Sequence, residues 1–483
     1  MKITALLLAC IMLVSCLSAC GKTVAKNNES YVSESDDSEY SEINEYVSML
    51  AHEYKFDGDT FSIVGKESDH CLDEEITGNL ENDALYSRMR EIEEVFGVTY
   101  EYATCDGEDY DRTPSREVTA KVEADVMSGL GAYDAIHSNI MVGGQVMLGL
   151  GLLQPVEELP GIDLANSWWL NDIETQFDIG GHLFFLTGKI VVDHYWDASC
   201  LLFNKQIAEN FNIDGLYDIV KEGEWTIDKM VEVTSAIPSD GGIYKLNLDS
   251  YESGLAFYFG GGFSICETDG DGNLNIPSSL GNEKTDWIDK LANIFRDERS
   301  YYIVGRNEDE SLVKDRNNFV EGDVFMTNVI MSTVSELREE DIEFGILPMP
   351  KRDTAQKDYI CYSRSTSVCS YTVSKVAKNT EKTGVILEAM AALSEKHLEP
   401  AFYDKALKGR GTYDRESRDM LDLIYASKKV DYATTYQWGD LWKLIDDAVT
   451  CMEDSYTGSY NSSARFANIQ VKQLVDKIKR EHP

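Results

Sequence analysis

Three kinds of side-chain chemistry can be sought along this chain, and two of them fail on inspection. Residues 268–274 read TDGDGNL, with oxygen ligands at alternate positions as in a calcium loop. Leu274 stands where the sharp turn of such a loop needs glycine, and the closing glutamate is missing, so a hairpin turn is the better reading. The seven histidines include no His-x-x-x-His and no His-x-His, so no zinc pair is visible in the local spacing. Neither Gly-x-Ser-x-Gly nor a P-loop occurs. The many carboxylates could hide a glycosidase pair, but nothing in the sequence selects one. No catalytic residue, metal or cofactor is expected. What remains is Tyr195-Trp196-Asp197, aromatic faces beside a carboxylate. That combination suits a ligand that offers C–H faces and hydroxyls. The competing reading puts Trp196 in a core and Asp197 in solvent.

The elements that must position such residues alternate between extended and helical patterns. TFSIVG (60–65) reads as a strand. ENDALYSRMREIEEVFG (81–97) reads as a helix with Leu85, Met89, Ile92 and Phe96 on one face and Gly97 as its stop. VTYEYA, a helix over 115–132, and YDAIHS complete a βαβαβ rhythm, which predicts a parallel sheet flanked by helices. Ligands of such sheets sit beyond the carboxyl ends of the strands, which makes Ser138 and Asn139 candidates. Further helices are expected from Thr226 or Asp228 onward, over 283–296 and 379–395, and over 415–427 and 438–453. Tyr251, Tyr258 and Phe259 precede the Gly260-Gly261-Gly262 turn. Any of them could stack on a ligand, and core packing is the equal alternative.

The chain has 483 residues and a net charge of -41, with 43% apolar and 10% aromatic residues. That length suits two or more domains. The charge repels phosphate and excludes nucleic acid as a partner. At the N-terminus Lys2 precedes an apolar run, Ile3 to Leu17, too short for a membrane span of about 20 residues. Leu17-Ser18-Ala19-Cys20 follows and resembles a bacterial lipobox. Residues 1–20 are therefore expected to be a lipoprotein signal, with lipid on Cys20 anchoring the chain outside the cell membrane. Residues 21–55, rich in Ser, Glu, Asp and Asn, are expected to form a disordered tether reaching on the order of 30 Å. Beyond the signal remain Cys71, Cys105, Cys200, Cys266, Cys361, Cys369 and Cys451, an odd set that reads mainly as buried thiols. Cys361 and Cys369 flank a hairpin-like stretch and could pair.

One strand poses a separate question. Phe344-Gly345-Ile346-Leu347 runs straight into Pro348 and Pro350, which end regular pairing. Its setting is informative. FNKQIAENFNIDGLYDIVKEGEWTIDKM (203–230) resembles a YNK…EWTWDE segment of extracellular solute-binding proteins of carbohydrate-type ATP-binding-cassette importers. FVEGDVFMTN (319–328), FGILPMPK (344–351), YDAI (133–136) and LQPVEEL (153–159) are similar to further segments of that family, in order, from about residue 60 to the C-terminus.

The resemblance implies an α/β, two-lobe, periplasmic-binding-protein-like (type II) fold with lobes joined by hinge crossings. It places residues 56–197 and 351–403 in the first lobe and 198–350 and 404–483 in the second. The crossings fall near Asp197–Leu202, at Pro348–Lys351 and after Leu393. It implies a receptor that binds a carbohydrate, an oligosaccharide in the first instance, and delivers it to membrane permease subunits without covalent chemistry. A polysaccharide-degrading enzyme and a sensor or adhesin of the same fold are the alternatives. In the family an acidic sugar ligand falls on Asp197, ligand contacts fall near Asn328, and an aromatic platform matches Trp442, with Trp438 one helical turn before it. The spacing of the two tryptophans fits core packing equally. Two departures stand out: no Trp lies near Ser138 and Asn139, which puts a first-lobe platform in doubt, and Ile330-Met331-Ser332 replaces a Trp, which stands against a maltose-like preference.

Overall fold

The computed structural model describes residues 40–66, 76–105, 113–169, 177–248, 252–268, 273–303, 318–338, 340–407, 415–451 and 455–483. Cys20, Cys71 and Tyr251 lie outside the described residues. Of Met1–Glu42, residues 40–42 alone are described, at the start of the helix Ser41–Glu53.

Strands β1 (Thr60–Lys66), β2 (Thr99–Cys105), β3 (Ala135–Asn139) and β4 (Leu153–Gln154) belong to one sheet. Strands β5 (Ser199–Asn204), β6 (Tyr244–Leu248), β7 (Tyr301–Ile303), β8 (Val324–Ile330) and β9 (Phe344–Leu347) make a second. Then come β10 (Cys361–Tyr362), β11 (Cys369–Ser374) and β12 (Lys428–Lys429). β11 returns to the first sheet, whose order is β2-β1-β3-β11-β4. β1 pairs parallel with β2 and β3, and β11 runs antiparallel to β3 and β4. The second sheet has the order β7-β6-β8-β5-β9, with β5 antiparallel to both its neighbours.

Local signals produce these elements where the sequence marks them. The helix Leu80–Phe96 starts on Asn79, whose side chain accepts from the Glu81 and Asn82 amides. It stops at Gly97, whose φ of 74° is left-handed and whose missing Cβ leaves room for Asp57. Ala84, Ile92 and Phe96 bury one face. Thr226 caps the helix Ile227–Thr234 through a 3.2 Å bond from the Lys229 amide.

Two expectations need correction. The first is the tether: residues 41–53 are helical. Val47, Leu50 and Ala51 recur at helical spacing and are buried, and the Tyr46 hydroxyl donates to Glu388 at 3.0 Å. The same carboxylate accepts from Asn166 and from the indoles of Trp168 and Trp169, at 2.8 to 3.1 Å. An apolar stripe and a remote acceptor thus recruit a polar segment.

The second is the crossing at Pro348–Lys351. The prolines do end β9, but Trp225 holds the segment to the second sheet's side. Its indole donates to the Pro348 carbonyl at 3.0 Å, and its own carbonyl accepts the Lys351 amide at 3.0 Å. Crossing to the first sheet takes place later, over 361–368. There Ser363 bridges Ala198 antiparallel, and β10 runs parallel to β12. Cys361 and Cys369 therefore sit in different pairings rather than across one hairpin, and both are buried thiols. Residues 197–199, 361–364 and 427–429 lie side by side. We call this set of paired segments the junction.

Candidate functional site

Among the buried polar atoms without partners in the described residues, three residues lie toward the carboxyl ends of strands in the two sheets. Ser138, near the end of β3, is 1% exposed, and its hydroxyl meets no partner among the described residues. Asn247 in β6 is equally buried, and neither end of its amide is bonded among the described residues. Asn328 in β8 donates to the Cys200 carbonyl at 3.0 Å, but its oxygen accepts nothing among the described residues. A buried polar group without a partner costs about 1–3 kcal/mol, so such groups concentrate where a ligand can complete them. The carboxyl ends of the strands are where ligands of α/β sheets bind.

Between the sheets, chain segments from four places converge. Glu252, fully buried, takes the Ser365 amide at 3.0 Å and the Ser365 hydroxyl on its carboxylate. Burial pushes this carboxyl above its ordinary range, while Ser365 and the Arg364 charge draw it back. The Met141 thioether lies 3.7 Å from the Ser365 hydroxyl and accepts the Gln437 amide at 3.2 Å. Met141 belongs to a five-residue π-helical turn, Ile140–Gly144, directly after β3. The cluster thus joins the end of β3, the crossing segment, the start of the helix Ser253–Gly260, and the region of Trp438. Glu252, Gln437 and Asp440 all have positive φ, at 60°, 52° and 53°. Left-handed backbone is uncommon outside glycine and gathers at functional places.

An aromatic stack adjoins Gln437. Tyr436 and Trp438 have ring centres 4.9 Å apart at 16°, and Tyr432 lies parallel to Trp438 at 6.3 Å. The Tyr436 hydroxyl is buried without a partner among the described residues, and burial holds its proton far above the usual phenol range. The Tyr432 hydroxyl donates to the Asp178 carbonyl at 3.1 Å.

The residues named from sequence are distributed unevenly around this arrangement. Ser138 and Trp438 flank it from opposite ends of the chain. Asn139 is a cap: its oxygen accepts the Val142 amide and its nitrogen donates to the Thr366 carbonyl at 2.7 Å. Tyr258 is fully buried and donates to the Ser264 carbonyl, so it is core. Trp442 is half-buried one turn beyond the stack. Trp196 is half-buried, edge-on to Phe402 at 4.6 Å. Asp197 is buried and paired rather than solvated. Its carboxylate ion-pairs with Lys428 at 2.6 Å, with side chains 5% and 2% exposed. The Lys428 ammonium also donates to His194 Nδ1 at 2.8 Å and to the His194 carbonyl. Burial disfavours charge on both partners, and their mutual attraction opposes it. The pair clips the first junction segment to the third. Asn247, Glu252 and Gln437 escaped the sequence reading. Glu252 adjoins the expected Tyr251, but its left-handed backbone has no sequence signal in a glutamate.

No family model matches the chain, and no curated protein matches it. Solved structures do. The GacH receptor of Streptomyces glaucescens is 13% identical, with a TM-score of 0.54, over 87% of this chain and 99% of that one. A cyclo/maltodextrin-binding protein complexed with maltotetraose is 14% identical, with a TM-score of 0.57, over 88% and 98%. The substrate-binding protein Lmo0181 from Listeria monocytogenes, in complex with cycloalternan, is 11% identical, with a TM-score of 0.55, over 86% and 100%. These likenesses establish the fold class. The chain has the two-lobe, periplasmic-binding-protein-like α/β fold of solute-binding proteins.

Proposed function

We propose that this chain is an extracytoplasmic receptor that binds a carbohydrate between its lobes and hands it to the permease subunits of an ATP-binding-cassette importer. The observation that carries the reading is the set of unpartnered polar atoms on Ser138, Asn247 and Asn328. They sit at strand ends in both sheets, where a ligand with many hydroxyls could satisfy them together. The aromatic stack at Tyr436 and Trp438 supplies the flat apolar surface a sugar ring uses. The solved neighbours with acarbose, maltotetraose and cycloalternan support an oligosaccharide. Tyr251 and Trp442 are retained as further contacts, and Asp197 is not. Lipid on Cys20 would hold the receptor at the membrane surface. Among the described residues no helix is long and apolar enough to cross a membrane.

A thermal-shift screen of mono- and oligosaccharides tests this. A cognate sugar at 100 times its Kd adds about 2.7 kcal/mol of stability. Saturable binding without product formation is the expected result. A response to amino acids or peptides and to no sugar would overturn the ligand class, and turnover of a sugar would overturn the receptor.

A further inference from the structure

Outside the proposed sugar site, one group of side chains has the composition of a metal centre. His137, Asp193 and Cys369 each present one ligand atom, and the three atoms lie within 4.8 Å of one another. The register of the first sheet explains the meeting. β3 and β11 pair antiparallel with His137 opposite Tyr371 and Asn139 opposite Cys369. His137 and Cys369 are therefore diagonal neighbours on one face of the sheet, close enough for side-chain contact. Asp193 comes from the 3-10 turn Val192–Tyr195, just before the first junction segment. Sequence spacing hides the set, because its members stand at 137, 193 and 369.

The surroundings fix two of the three. The His137 ring packs against Tyr371 at 4.8 Å, and the Asn139 amide approaches the Cys369 sulfur at 4.0 Å. Asn139 is itself held by its bond to the Thr366 carbonyl. His137 and Cys369 are 2% and 3% exposed, whereas Asp193 is half-buried, so the group opens to solvent on one side only. Nitrogen, sulfur and carboxylate together select a borderline transition metal over calcium or magnesium. Ligand atoms around tetrahedral zinc are about 3.3–3.8 Å apart. Closing from the present arrangement asks for side-chain shifts of about 1 Å.

We propose that His137, Asp193 and Cys369 form a binding site for a zinc-class divalent ion, with the fourth position open to water. Three protein ligands with one open position is the ligand count of zinc sites that keep a water. The ion would pin the chain entering the junction, at Asp193, and the chain leaving it, at Cys369, onto β3 at His137.

Cobalt titration of the reduced, chelator-washed protein is the test, because a thiolate ligand gives Co2+ a charge-transfer absorption that carboxylate and imidazole do not. One Co2+ per chain with that absorption, displaced by Zn2+, is expected. Cys369→Ala should abolish the band. Asp193→Asn, conservative and on the open side, should weaken binding by more than the roughly 10–100-fold that loss of a ligand's hydrogen-bond partner costs. Should Cys369→Ala fail to fold by circular dichroism, the parent's band and the Asp193→Asn titration decide. Absence of the thiolate band in the parent overturns the proposal. So does equal metal binding by parent and variants, which would leave the three groups as a hydrogen-bonded cluster. Sugar binding plays no part in the readout, so this outcome is separate from that of the receptor reading.

Discussion

Replacing Asp197 separates a structural carboxylate from a ligand-binding one. In the structure it pairs with Lys428 at 2.6 Å, and both side chains are nearly inaccessible. Asp197→Ala leaves the ammonium buried with the His194 nitrogen and carbonyl as its neutral acceptors. Breaking a buried pair by removing one partner costs about 3–5 kcal/mol, because the remaining charge keeps its desolvation penalty. At about 2–4 °C per kcal/mol for domains of 150–250 residues, the sugar-free protein should melt about 6–20 °C lower. The double variant Asp197→Leu, Lys428→Met removes both charges. It should return to within about 1–3 kcal/mol of the parent, the remainder reflecting His194 groups left without their donor. Differential scanning calorimetry of the three proteins without sugar measures this. If Asp197→Ala melts with the parent but binds sugar tenfold or more weakly, the carboxylate is a ligand group, and the junction argument fails.

Other perturbations address other parts of the molecule. Glu388→Ala removes the shared acceptor of Tyr46, Asn166, Trp168 and Trp169, and should release the helix Ser41–Glu53 to limited proteolysis well before the rest of the chain; a cleavage pattern identical to the parent's would refute the anchoring role. Burial alone would push the Glu91 carboxyl up, but hydrogen bonds and charges from His397 and Lys396 together pull it below 4.5. A lowered acid stabilises fully above its unfolded value and loses that contribution as pH falls through the folded one, so stability should drop from about pH 4.5 downward. Urea midpoints for Glu91→Gln should fall less steeply there, and parallel curves would contradict the assignment. Cys20→Ala should shift the protein from the membrane fraction to the medium or periplasm; unchanged fractionation would sink the anchor.

What the sequence made legible was local. The βαβ rhythm and the Gly97 stop each depend on neighbours within a few residues and stand where the pattern placed them, and the helix expected from Thr226 or Asp228 starts at Ile227 behind Thr226. What it concealed depended on distant partners. The polar composition of 41–53 reads as tether because Glu388 lies hundreds of residues on. Pro348 and Pro350 correctly end a strand, yet only the Trp225 indole decides on which side the chain then stays. Asp197 beside two aromatics has the composition of a sugar ligand, and Lys428, far along the chain, gives it another task. Ser138 was accessible to reasoning because strand ends are predictable, and Asn328 was reached through the resemblance alone. Asn247 lies in a strand of five residues that the sequence did not single out.

The contacts between the two halves differ in strength, and that difference bears on how a receptor of this shape would respond to ligand. Glu252 grips Ser365 through a carboxylate, a charge-assisted bond in a buried place. Gln437, at the other side of the same cluster, rests its amide on the Met141 thioether, a weak acceptor. Both residues hold left-handed backbone at a cost of order 1–3 kcal/mol each. The strong contact fixes the crossing segment regardless of ligand. The weak one leaves an amide donor that, on the proposed reading, a ligand hydroxyl would win from sulfur with a net gain, beside an aromatic stack and just beyond the strand that carries Ser138. A ligand stabilises one state only through contacts it makes better there. On the proposed receptor reading, Gln437 would be the donor in this cluster with an interaction to improve, while Glu252 and the Asp197–Lys428 pair keep the junction in register.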